Sequence, residues 1–190
     1  MIEIPSDLHP DLVPLAFLLG NWAGAGVSDF PGAEQCNFGQ EVSFSHDGRD
    51  FLEYVSRTWV LDSEGKKVRP LESESGYWRI DKDRKVEVVM SRDQGVIEIW
   101  YGELAHQKPQ IDLVTDAVAR TAASGPYSGG KRLYGYVNSD LMWVGEKATP
   151  EVELRPYMSA HLKKVVTPEE VEEMAKKLGD LPDDGIAFFK

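Results

Sequence analysis

The sequence predicts an all-β fold, a single antiparallel barrel of about ten strands, and three observations carry that prediction. From position 20 onward, short runs rich in Val, Ile, Tyr, Phe and Trp recur between turn residues, too closely spaced for crossover helices. Turn chemistry marks the junctions: Asp47-Gly48 separates SFSH from DFLEYVSRTWV, Glu64-Gly65 follows a strand-like run, and Asn138-Ser139-Asp140 joins two aromatic-rich runs. The run 51–60 carries large groups on both faces, Phe51, Val55 and Trp59 on one and Leu52, Tyr54 and Val60 on the other, as a wall around a lined interior would. A meander this long leaves two exposed edges unless it closes, so closure is favoured over a sandwich.

The elements follow in order. Residues 10–19, PDLVPLAFLL, are apolar around Pro14 and predict a short helix or turn that plugs or packs against the strands after it. Strands are predicted over 20–29, 37–46, 50–61, 74–81, 85–91, 94–102, 110–119, 131–138, 140–149 and 152–165. Two loops stand out, 104–109 (LAHQKP) and the Gly/Ser-rich 122–130 (AASGPYSGG), the latter a mobile lip to a cavity. Thr167-Pro168-Glu169-Glu170 then supplies an N-cap, a proline at the first helical position and a glutamate three residues after the cap. A helix follows to about 178, with Val171, Met174 and Leu178 on one face. The chain divides into a barrel domain, 1–165, and an acidic helical extension, 166–190.

Composition narrows the function classes. There are 21 Lys+Arg against 32 Asp+Glu, a net charge of −11 that repels nucleic acid and anionic membranes, so neither is expected as a partner. No apolar run reaches the roughly 20 residues of a spanning helix. Cys36 is the only cysteine, and MIEIPSDLHP has neither a basic nor an apolar leader segment, so a cytoplasmic location is expected. The signatures GxxxxGK[ST], HExxH, GxSxG and CxxC are all missing. His9, His46 and His106 fall in a tail, a turn and a loop, where a solvated role outweighs metal ligation, and Cys36 has no flanking cation to activate it.

Two stretches remain. GNWAGAG, residues 20–26, has the form GxWxGxG, which puts Gly20, Trp22, Gly24 and Gly26 on one face of a strand. That face is either a close strand crossing or a bare backbone floor for a planar ligand. RPYMSAHLKK, residues 155–164, places Tyr157 and His161 on one side of the last strand by alternation, with Ser159 and Lys163. Four residues span about 13 Å along a strand, so at most one of the pair serves a given metal.

GxWxGxG, FGQEVSFSHDGRDFLEYVSRTW, ESGYWR, VTDAVAR, KRLYG and RPYMSAHL occur in the order found in the nitrobindin family, which the chain resembles from about residue 10 to 165. The resemblance is to its actinobacterial branch. It implies a lipocalin-like, fatty-acid-binding-protein-like barrel, whose characterised members hold ferric haem b at the mouth through an axial histidine of the last strand. Those members bind nitric oxide and isomerise peroxynitrite to nitrate. In the family's motif, Pro-His-Leu-Ser-Ala, a variable residue and Leu, the matches are Pro156, Ser159, Ala160 and Leu162; the axial position falls on Tyr157 and the variable one on His161.

The resemblance therefore implies a barrel that has lost its iron ligand and binds a small hydrophobic or planar molecule. Its candidate contacts are Gly20, Trp22, Gly24, Gly26, Lys131 (matched to a family lysine near the mouth) and Tyr157, with no catalytic residue, no metal and no cofactor expected. The alternative is a haem-binding peroxynitrite isomerase or nitric-oxide-binding protein that uses Tyr157 as a tyrosinate ligand, helped by Arg155 on the same strand face. Whether the chain is an enzyme stays open. Its oligomeric state is open too, a homodimer being one option.

Overall fold

The computed structural model describes residues 4–166. Ten strands form one closed antiparallel barrel: β1 (Gly20–Ser28), β2 (Cys36–Ser45), β3 (Leu52–Leu61), β4 (Lys67–Ile80), β5 (Lys85–Arg92), β6 (Val96–Leu104), β7 (Gln110–Arg120), β8 (Gly129–Val137), β9 (Asp140–Ala148) and β10 (Arg155–Val165). Each strand pairs with its sequence neighbours, and β1 pairs with β10 from Asn21↔Val165 to Ser28↔Met158. Closure removes the edges, as the sequence predicts. The β8–β9 hairpin turns through Asn138 and Ser139, both at positive φ (52° and 69°), the backbone that a tight two-residue turn requires.

The other predicted bounds fall within three residues of the observed ones, and β4 differs most. β4 starts at Lys67 rather than near 74, because β3 and β4 stay paired through two register shifts while Pro70, which has no N–H to give, sits opposite Trp59.

The apolar segment before β1 closes one end. It forms a 3₁₀ helix over Pro10–Leu18, entered at His9, whose Nδ1 accepts the Asp11 amide at 3.3 Å. Leu12, Leu15, Phe17 and Leu18 are buried. The Trp22 indole donates to the Leu18 carbonyl at 2.7 Å, and the rings of Phe17 and Trp22 both rest on Tyr136, with centroids 6.0 and 6.2 Å away. A segment this apolar has to be buried, and plugging the barrel buries it.

The opposite end, the mouth, is bounded by loops 29–35, 62–66, 93–95, 121–128 and 149–154. There β7 and β8 part: they pair only from Gln110↔Gly135 to Val114↔Lys131, although β7 continues along β6 to Arg120. The loop expected as a mobile lip lies at this mouth and turns Tyr127 inward, where its hydroxyl donates to Glu98 Oε1. No helix of the described residues is long and apolar enough to cross a membrane. The helix predicted after Thr167 lies outside the described residues.

Candidate functional site

β10 reaches the mouth as Arg155-Pro156-Tyr157-Met158. Its pairing with β9 jumps from Pro156↔Glu146 to Met158↔Gly145 and leaves Tyr157 as the extra residue of a β-bulge. Pro156 cannot donate to the ladder, and prolines within sheets collect at such irregularities. Beyond the bulge Met158, Ala160 and Leu162 are buried, while His161 and Lys163 are exposed, yet Tyr157 is also buried at 5% exposure. Strict alternation, which put Tyr157 and His161 on one side, therefore fails at this position. His161 lies on the outer wall with Nε2 2.5 Å from Asp140 Oδ2, beside an external groove of about 510 Å³ lined by Val27, Leu133, Val137 and Met142.

Tyr157 is held from several sides. Its carbonyl accepts the Asp29 amide at 2.9 Å. Its ring lies against Gly145, where an added Cβ would come within 2.8 Å of it. The Lys147 ammonium lies 5.1 Å from that ring's centroid and 4.2 Å from the centroid of Phe30. The Tyr157 hydroxyl is buried and has no hydrogen-bond partner among the described residues. Burial pushes the phenol up to about 12, although Arg92 and Arg132 pull it the other way. Arg155, expected as its helper, is exposed.

Deeper in, a polar layer crosses the barrel. Arg132 grips Glu74 with both terminal nitrogens, Nη1 at 2.8 Å from Oε2, and Tyr54 donates to the same oxygen at 3.0 Å. Arg92 Nε donates to Glu98 Oε2 at 2.7 Å and lies 3.4 Å from Glu74 Oε1. Gln40 links Ser56 (2.9 Å) to the Trp143 indole (2.8 Å). Burial alone would raise the Glu74 carboxyl, but Arg132 and then Arg92, with hydrogen bonds from Arg132 and Tyr54, outweigh it and hold the group at about 2.

The remaining sequence candidates fall elsewhere. On β1, a Cβ on Gly24 would come within 2.0 Å of the His161 carbonyl oxygen, and one on Gly26 within 2.0 Å of the Ser159 oxygen and 2.6 Å of Phe38. These glycines permit close approach at the closure seam. Trp22 joins the plugged end, and Gly20, at φ +110°, sits against the Lys164 side chain. Lys131 is exposed on β8, opposite Val114 and Glu146. Met142 and Trp143 alternate, the first exposed and the second buried. Of the candidates, the structure brings Tyr157 to the mouth beside Lys147.

Sequence reasoning missed Lys147 and the interior charges. A signal was present: Glu74 lies in phase with Trp78, Glu98 with Trp100, and Arg132 with Tyr134, and all six are buried. A charged residue in phase with inward aromatics marks an interior polar group.

Comparisons with known proteins agree with this fold. A family model described as "THAP4-like, heme-binding beta-barrel domain" matches residues 11–164. A "Ferric nitrobindin-like protein" of Streptomyces griseus subsp. griseus is 92% identical over 190 residues, covering 100% of both chains. A "Peroxynitrite isomerase" of Nocardioides sp. is 44% identical over 160 residues, 84% of this chain and 96% of that one. Among solved structures, Rv2717c from M. tuberculosis superposes with a TM-score of 0.75 at 28% identity, covering 83% of this chain and 99% of that one.

Proposed function

The chain belongs to the nitrobindin family of haem-binding β-barrels, and from that premise we propose that it keeps the family's ligand site at the barrel mouth but not the family's iron ligand. It serves as a binding protein for a small hydrophobic or planar molecule. The observation that carries this reading is Tyr157: at the position the family motif gives to the axial histidine stands a buried, unpartnered phenol.

Haem does not fit the residues present. Lifted to about 12, the phenol is protonated at neutral pH, and protonated it is a poor donor to ferric iron. No histidine replaces it. His9 and His46 lie toward the plugged end, His106 is exposed, and His161 is on the outer wall bonded to Asp140. Arg92 and Arg132 favour the phenolate, but each is already engaged by a carboxylate, and burial wins.

Nile red, a neutral planar dye, tests the binding reading. Titration into the purified protein should give a saturable rise and blue shift in emission. Emission that stays at the level of a buffer blank across the titration would refute it.

A further inference from the structure

The mouth holds an excess of hydrogen-bond donors and one cation without a counter-ion. Arg92 meets its carboxylates through Nε, and its two terminal nitrogens carry no hydrogen bond among the described residues. The Tyr157 hydroxyl is buried with no acceptor. Lys147 is half-buried on strand β9 and, among the described residues, has only ring faces for partners and no carboxylate oxygen within 4.0 Å. Its ammonium lies 5.1 Å from the centroid of the Tyr157 ring, which carries that buried hydroxyl.

Charge accounting singles out Lys147. Arg132 is neutralised by Glu74 and Arg92 by Glu98. Among the described residues, the carboxyl that acts on Lys147 is Glu72, half-buried on β4; burial raises it toward its neutral form, against the pull of Arg92. Burial likewise pushes Lys147 down, and Glu72 pulls it back. Ordered water could accept hydrogen bonds from Tyr157 and Arg92, but it cannot cancel a charge. In a chain of net charge −11, a half-buried lysine with no acid salt-bridged to it is the exception to explain.

We propose that the ligand is an anion, an aromatic or otherwise apolar body bearing a carboxylate, with Lys147 as its counter-ion and Tyr157 as a hydrogen-bond donor to it. The flat faces of Phe30 and Tyr157, between which the ammonium is held, supply the apolar contact. This rests on the mouth being a ligand site, as proposed above. The carboxylate would satisfy the orphan hydroxyl and cancel the residual charge in one step, which a neutral ligand of the same shape cannot do.

The test compares 2-naphthoate with its methyl ester by calorimetric titration of the wild-type protein, Lys147→Met and Lys147→Arg, with Nile red titrated in parallel. Wild type should bind the acid at least about tenfold more tightly than the ester. Lys147→Met should remove that preference while leaving ester and Nile red affinities unchanged, and Lys147→Arg should retain it. Equal affinities for acid and ester, or a Lys147→Met protein that still prefers the acid, would overturn the assignment. So would a loss shared equally by the acid, the ester and the dye, since that marks a packing role. Nile red binding without acid preference sinks only the anion inference; no uptake of Nile red by wild type sinks the ligand-site reading with it.

Discussion

Glu74→Ala should lower the free energy of unfolding by about 3–5 kcal/mol, because it leaves the Arg132 guanidinium buried without its carboxylate. Replacing both partners, Glu74→Leu with Arg132→Met, should cost much less and could come out near neutral, since the desolvation penalty goes with the charges. Urea denaturation of the Glu74→Ala protein and of the double variant measures the difference. The same pair sets an acid limit on stability. Glu74 falls from its ordinary 4.5 to about 2 in the folded state, so its contribution is complete above pH 4.5 and is lost as the pH falls from there toward 2. The shift corresponds to about 3 kcal/mol, and a Glu74→Gln protein should show a flatter stability profile across that window. Parallel profiles for the two proteins would mean that Glu74 is not the group holding the interior together.

Gly26→Ala should open the barrel at its closure. A Cβ there would meet the Ser159 carbonyl oxygen and the Phe38 ring at once, and neither can retreat: the oxygen belongs to the β10 backbone and Phe38 is fully buried. The expected cost is about 3 kcal/mol, the upper end for overpacking, read as a fall in the thermal midpoint. Gly135→Ala is the control. Its Cβ would find only Val137 Cγ2 at 3.9 Å, and alanine lowers the entropy of the unfolded chain, so stability should hold or rise slightly. Were Gly26→Ala as stable as Gly135→Ala, the GxWxGxG glycines would have to be kept for something other than close approach.

Much of the fold was legible because a barrel wall announces itself locally. Ten β-rich runs, the Asn138-Ser139 turn and the apolar decapeptide ahead of β1 each reflect a nearest-neighbour requirement, for pairing, for positive φ, or for burial. The mouth was legible only in part. Tyr157 was marked by its place in a motif, but its direction was not readable from period two, because one bulged residue resets the phase of β10. Pro156 was the available warning. The interior charges were hidden for a related reason. On β6, Val96, Glu98 and Trp100 point inward while Ile97 and Ile99 are exposed, so apolar residues occupy both faces and the pattern alone cannot tell inside from outside. Lys147 gave no local signal, since what distinguishes it is the lack of a partner, a property of the assembled mouth.

The central claim, that the family's site persists without its iron ligand, is tested most directly by titrating hemin into wild type, Tyr157→His and Tyr157→Phe and following absorbance in the Soret region. Wild type and Tyr157→Phe should remain spectrally silent, while Tyr157→His should develop a Soret band that saturates at one hemin per chain. A wild-type protein that already shows a ferric haem spectrum, abolished by Tyr157→Phe, would contradict the account and make Tyr157 the axial ligand.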